Sequence, residues 1–451
     1  MKSTSELIAL DKQFLWHPFT QMADWLDSDP VIIDRGEGFT LIDTDGRRYI
    51  DGVSSLWCNV HGHRVKAIDE AIRDQLDKIA HSTLLGLGQT RAAELAERLI
   101  RIAPHGLQKV FYSDSGATAV EIALKIACQY WQNRGQKNRT RFIALSDAYH
   151  GDTVGSVSVG GMDLFHHIFK SLLFETHFVP APNPYRFDGT PDQCAAFSLD
   201  KMETLLKTNA DQIAAVILEP LVQGAAGMIV HPGGFLKGVE RLARQYGVLL
   251  IVDEVATGFA RTGKMFACEH DDIRPDLMCV AKGITGGYLP LAATFTTQTV
   301  FDAFLDKGDP YKTFYHGHTY TGNALGCAAA IASLDLFEQN KLLAALPPKI
   351  ERIAETLRRA AGLPFVGDVR QCGLMAGIEL VADKTAKLPL PAGLGARVCA
   401  AMRPKGAMMR PLGNIIVLMP PPAIDRPTLE TLLDILEDTL NNDLPAIARQ
   451  A

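Results

Sequence analysis

The sequence has no Cys-x-x-Cys pair, no excess of positive charge and no run approaching the ~18 apolar residues of a membrane span. Each absence removes a class of function. The eight cysteines (Cys58, Cys128, Cys194, Cys268, Cys279, Cys327, Cys372 and Cys399) stand singly, which excludes the zinc spacings and leaves buried thiols. A net charge of -6 offers nucleic acid no basic face. The start, Met1-Lys2-Ser3-Thr4-Ser5, lacks the apolar core of a signal peptide, so a cytosolic protein is expected. Two His-Gly-His triplets, His61 to His63 and His316 to His318, lack Cys or carboxylate partners at ligand spacing, and no metal is expected. Gly86-Leu87-Gly88-Gln89-Thr90-Arg91 lacks the third glycine and the preceding strand of a dinucleotide loop, which rejects it as such a site and disfavours a nicotinamide oxidoreductase.

What is there is a chain of 451 residues, 47% hydrophobic, long enough for two or three domains with large cores. Pro18 interrupts any helix in LWHPFTQM, Leu15 to Met22, so an extended arm with aromatic side chains to bury is expected after a short polar start. VIIDRGEGFTLIDTDGRRYIDG reads as three short antiparallel strands, with turns at Gly36-Glu37-Gly38 and Asp45-Gly46. Helices are expected near Val65 to Ile79 and Arg91 to Ile102. From about residue 108, apolar strand-like runs alternate with helices, the pattern of a mostly parallel sheet with right-handed crossovers. A smaller α/β layer should come after it. The expected division is an arm and small sheet over residues 1–60, a large domain over 61–322 and a small domain over 323–451.

The large domain centres on VLLIVDEVATGFARTGKMFACEHDDIRPDLMCVAKGITGG, Val248 to Gly287. One apolar run ends in Asp253 and Glu254, the next in Lys282; open α/β sheets bind ligands at such strand ends. An acid and a lysine in one crevice are what pyridoxal phosphate needs, the lysine for a Schiff base and the acid for the pyridine nitrogen. Taken alone, the pair serves equally as a strand-end salt bridge. Ser113 to Thr118 (SDSGAT) sits where a strand becomes a helix, a phosphate cradle or simply a helix capped by Ser115. Tyr149 could stack on a flat ring, Glu219 ends another strand, Thr319 is a second phosphate donor, and Arg410 in MRPLGN could clamp a carboxylate or merely be solvated.

DEVATGFARTGKMFACEH followed by AKGITGG resembles the fold-type I, class III pyridoxal-phosphate aminotransferases. LWHPFTQM, DGVSSLWCNVHGH, FYSDSGATAVEIALKIA, AYHGD, EPLVQGAAGM, HGHTYTGN and MRPLGNIIVLMPP resemble the branch that converts 8-amino-7-oxononanoate to 7,8-diaminononanoate in biotin synthesis. The resemblance covers nearly the whole chain from Leu15 onward. It implies that Lys282 carries the cofactor, Asp253 binds the pyridine nitrogen, and Tyr149 stacks on the ring. Gly116 and Ala117 would bind the phosphate through backbone N–H groups, with Thr319 reaching it from the other subunit of a homodimer. Glu219 joins the cofactor set, and Arg410, with Gly317 nearby, would hold the substrate carboxylate. Three positions depart from members that use S-adenosylmethionine: Phe19 replaces a tyrosine, Leu56-Trp57 replaces two tryptophans, and His318-Thr319 replaces Pro-Thr. A lysine-using branch resembles this chain there, which leaves both amino donors open. The alternatives are a class III enzyme for ornithine, 4-aminobutyrate or a polyamine, and a non-catalytic binding protein on the same fold.

Overall fold

The computed structural model describes residues 2–450. Two short helices, Thr4–Phe14 and Met22–Asp27, open the chain. The first is nucleated by a capping box, with Ser3 and Glu6 satisfying each other's backbone N–H groups, where the sequence pattern suggested only a polar start. The segment between them is irregular around Pro18, as expected, but its aromatics are not buried within this chain: Trp16 is 88% and Phe19 55% exposed. Strands β1 (Ile33–Glu37), β2 (Thr40–Asp43) and β3 (Arg48–Asp51) then form an antiparallel meander.

Next comes a seven-stranded sheet. Its strands are β4 (Leu107–Ser113), β5 (Arg141–Leu145), β6 (Thr176–Val179), β7 (Ile213–Leu218), β10 (Leu249–Asp253), β11 (Leu277–Val280) and β12 (Ala292–Thr297), with β8 (Val222–Gln223) and β9 (Ile229–Val230) forming a separate two-stranded ribbon. The spatial order is β4-β12-β11-β10-β7-β5-β6. Only β12 runs against the others, pairing antiparallel with both β11 and β4. Every residue of β7, β10 and β11 is buried, because helices cover both faces. Alternation divides the core accordingly: Val216, Leu218, Leu250, Val252, Met278 and Val280 pack on one face, and Ala215, Ile217, Leu249, Ile251, Leu277 and Cys279 on the other. Strands β6 and β12 were not anticipated, nor was the helix Pro191–Asn209. β12 (AATFTT) is short of large apolar residues, and β6 (THFV) is a four-residue edge strand.

The C-terminal part builds a second sheet from β13 (Val366–Cys372), β14 (Met375–Asp383), β15 (Leu388–Pro389), β17 (Arg410–Leu412) and β18 (Ile415–Leu418). Strand β16 (Ala407–Met408) instead pairs parallel with β3, so the N-terminal meander is completed by residues more than three hundred positions away. That pairing draws the segment after β3 across the carboxyl end of the large sheet. No helix among the described residues is long and apolar enough to cross a membrane.

Candidate active site

The carboxyl ends of β4, β5, β7, β10 and β11 converge on one cleft of about 690 Å³. Asp253, the last residue of β10, is buried; its Oδ1 accepts the Val255 N–H at 3.0 Å and its Oδ2 lies 2.7 Å from Nδ1 of buried His150. Two bonds therefore fix the plane of the carboxylate. Lys282 follows β11 in a left-handed conformation (φ +44°), half-buried on the cleft floor, with Nζ 5.0 Å from the centre of the Trp57 ring. Loss of hydration holds its ammonium below the usual lysine range, although Asp253 and Glu219 pull in the opposite direction. Glu219, immediately after β7, accepts N–H groups from Tyr149 at 3.2 Å and Gly224 at 2.8 Å. Burial nevertheless pushes its carboxyl up to about 7.

The far end of the cleft is the start of the helix Gly116–Asn133. Ser115 caps it, its hydroxyl accepting the Thr118 N–H, which leaves the N–H groups of Gly116 and Ala117 without intrahelical acceptors at the positive end of the helix dipole. Packing there is close. A Cβ on Gly116 would stand 2.6 Å from Val255 Cγ1, and one on Gly151 (φ +119°) would stand 2.4 Å from Ala117 Cβ. Tyr149 is half-buried, its hydroxyl donating to Asp152 at 2.5 Å.

A second cavity, about 130 Å³, opens beside the first; Trp57, Tyr149 and Lys282 line both. Phe19, Leu56, Phe165, Ala225, Arg410, Leu412 and Val417 complete its wall. Phe19 meets Phe165 edge-on at 5.2 Å and Tyr149 at 6.4 Å. Arg410 comes from β17, on the C-terminal sheet, yet its side chain reaches this cavity, and it makes no ion pair with any described residue.

Gly317, His318 and Thr319 are not brought to the cleft within one chain. Gly317 and His318 line a separate cavity with Leu84, Tyr112 and Thr321, and Thr319 is exposed. The nearest link to the site is His318 Nδ1, 2.7 Å from Asp114 Oδ2. Several residues of the site had no assigned role from sequence. His150 sat inside the AYHGD motif, but only the fold shows that it abuts Asp253. Glu254 accepts the Thr257 hydroxyl and the Ala267 and Cys268 N–H groups, turning away from the cleft to brace the loop after β10. The histidine triplets hold no metal cluster among the described residues: His61 bonds Ser333 and is lowered to about 4 by burial, and His63 bonds Asp51.

A family model described as aminotransferase class-III matches residues 22–440. The chain is 56% identical to the adenosylmethionine-8-amino-7-oxononanoate aminotransferase of Nitratidesulfovibrio vulgaris over 95% of its length and 80% of that relative's. With the enzyme of the same name from Geobacter sulfurreducens it shares 52% identity, covering 97% of this chain and 98% of the other. The crystal structure of the Methanocaldococcus jannaschii enzyme of that name superposes with a TM-score of 0.93 at 47% identity, over 97% of this chain and 99% of that one. An amine transaminase from an uncultivated Pseudomonas species, solved in its PLP-bound form, gives a TM-score of 0.91 at 37% identity over 95% of this chain and 98% of that one. The chain belongs to the class III aminotransferases.

Proposed function

We propose that this aminotransferase transfers an amino group to the 7-keto carbon of 8-amino-7-oxononanoate, giving 7,8-diaminononanoate for biotin synthesis. The observation that supports this most is the second cavity, whose largely apolar wall carries both Lys282 and the guanidinium of Arg410, which makes no ion pair with any described residue. A substrate for such a cavity has a carboxylate at one end, an aliphatic chain and a reacting carbon at the other. An enzyme for an unbranched diamine would have no use for that arginine.

The cleft fits pyridoxal phosphate on the chemistry of its donors. Two uncommitted N–H groups at a helix start suit a phosphate, a carboxylate locked by two bonds suits a protonated ring nitrogen, and the glycine at 116 lets that helix start pack directly on Val255 at the cleft. Bound there, the cofactor supplies an electron-withdrawing ring that lets a C–H bond beside the amine nitrogen ionise. The protein does the rest. Asp253 would hold the ring nitrogen through its fixed carboxylate, and Tyr149 would cover a ring face. Lys282 Nζ, its proton affinity reduced by desolvation, would take the proton from the amine-bearing carbon of the donor and return it to the cofactor carbon on the other side of the amine nitrogen. Glu219, fixed by the Tyr149 and Gly224 N–H groups, offers a carboxyl that is readily protonated near neutral pH beside that lysine. Thr319, with Gly317 and His318, would complete the phosphate and substrate ends from a second copy of the chain, which accounts for their lying outside this chain's own cleft. The arm aromatics Trp16 and Phe19 would likewise find their cover in a homodimer.

The amino donor is S-adenosylmethionine in this reading, as in the names of the relatives, with L-lysine as the other candidate. Phe19 and Leu56 line the cavity where that choice is made. The test is to add each donor separately to the loaded, yellow enzyme and follow bleaching near the cofactor band. Bleaching by S-adenosylmethionine alone assigns the common donor, and bleaching by lysine alone assigns the other. Bleaching by neither, with no turnover of 8-amino-7-oxononanoate, would replace this reading by another ω-amine; a solved relative at TM-score 0.94 and 33% identity is an omega-transaminase.

A further inference from the structure

Four successive residues between β3 and the helix Lys66–Leu76 have the wrong hand. Ser54, Ser55, Leu56 and Trp57 have φ of +52°, +51°, +81° and +69°, and none is glycine. Trp57 N–H donates to the Val53 carbonyl at 2.9 Å and Cys58 N–H to the Ser54 carbonyl at 3.0 Å, closing a left-handed helical turn. L-residues visit this region singly, and a run of four persists only where the surroundings over-determine it.

The surroundings here are two sets of bonds. From one side, fully buried Asp51 accepts the Ser55 N–H at 2.8 Å and the Ser55 hydroxyl at 2.6 Å, and its Oδ2 also meets His63 Nε2 at 3.1 Å. From the other, the Ser54 hydroxyl donates to the Met419 carbonyl at 2.7 Å and accepts from Arg261 Nη1 at 2.9 Å. Arg261 is 1% exposed and has no carboxylate at ion-pair distance among the described residues. Nη1 donates also to the Pro420 carbonyl at 3.0 Å and Nη2 to the Asn59 carbonyl at 2.8 Å, while Nε is buried with no partner among the described residues. A buried guanidinium is costly, and this one is committed to the two ends of one turn and the strand exit beside it.

What the turn carries is part of the site. Trp57 lies against Lys282 and so close to Gly224 that a Cβ there would be 3.2 Å from its ring, while Leu56 stands on the wall of the cavity that holds Arg410. A right-handed turn would send these two side chains to other faces. We propose that Asp51, Ser54 and Arg261 are positioning residues that hold the left-handed turn and thereby place Leu56 and Trp57 as the wall selecting the substrate. The proposal deepens the functional reading above and rests on its assignment of the second cavity to substrate.

The test uses Ser54→Ala and Asp51→Asn in the full-length loaded enzyme. The near-ultraviolet circular dichroism owed to Trp57 is first defined as the difference between the unsubstituted protein and Trp57→Phe. Both variants should lose that band while retaining far-ultraviolet structure, and KM for 8-amino-7-oxononanoate should rise about tenfold with kcat within about twofold. Retention of the band, or its loss with KM unaltered, would overturn the proposal. Should Asp51→Asn fail to fold, Ser54→Ala decides alone. If the unsubstituted enzyme does not aminate 8-amino-7-oxononanoate, the functional reading fails separately. The dichroism, with KM for whichever substrate is accepted, then still judges the clamp.

Discussion

Replacing Arg410 by alanine gives the sharpest test of the substrate reading. The guanidinium lines the cavity beside Lys282 and makes no ion pair with any described residue, so removing it strands no buried partner, and the loss falls on the ligand alone. A charge-assisted pair between arginine and a carboxylate contributes about 1.5–3 kcal/mol. The side chain is exposed in the free protein, so the pair is partly screened and the lower part of that range, about 1.5–2 kcal/mol, applies. At 1.4 kcal/mol per tenfold, that is roughly a 10- to 30-fold rise in KM for 8-amino-7-oxononanoate. Because the carboxylate is remote from the reacting carbon, kcat should stay within about twofold. The control is the carboxamide of the same substrate, which offers no negative charge. Steady-state kinetics should show the Arg410→Ala penalty on the acid and less than about a twofold change on the amide. An equal penalty on both would refute the assignment, since it would mean that Arg410 supports the cavity and does not recognise the anion.

Lys282→Ala should abolish turnover, at least ~10⁴-fold in kcat, while the melting curve stays cooperative; substantial residual transamination would remove the lysine from its role. Asp253→Asn takes the charge from the ring nitrogen but leaves the His150 contact possible, so single-turnover bleaching should slow by about 10²-fold or more with substrate Kd nearly constant. Equal bleaching rates would end the pairing. Glu219 makes a pH prediction. Its folded carboxyl is raised from 4.5 to about 7, so the fold binds the proton more tightly than the unfolded chain does. The stability this gives is complete below about pH 4.5 and is lost as pH rises through 7, a difference of about 3 kcal/mol. Urea titrations of the cofactor-free protein at pH 5 and 8 should show Glu219→Gln lacking that share of the pH dependence; parallel curves for both proteins would contradict it.

The chemistry of this protein was legible wherever a short apolar run ended in a charged or small residue. A strand buried on both faces must be a continuous apolar run, and parallel strands must deliver their C-terminal neighbours to one edge of the sheet. The runs ending before Glu219, at Asp253 and before Lys282 therefore announced both the sheet and the crevice. The amphipathic helices Lys66–Leu76 and Thr90–Ile102 were legible for the same reason, since their periodicity records which face is buried. Strand β12 was not, because AATFTT becomes a strand only between the neighbours that hydrogen-bond it on both sides.

Residue spacing also could not show what long-range pairing does. That the N-terminal meander finds its fourth strand in Ala407–Met408, that Arg410 crosses from another sheet into the cavity of Lys282, and that His150 braces Asp253 all depend on segments far apart in sequence. The left-handed turn at Ser54–Trp57 is the clearest case. Nothing in Ser-Ser-Leu-Trp favours it, and its hand is imposed by a buried aspartate on one side and a buried arginine on the other. Local sequence determined which residues could do chemistry, because periodicity and strand ends are local properties. Only the tertiary structure decided which of them meet, because hydrogen bonds and packing between remote segments set where each side chain points.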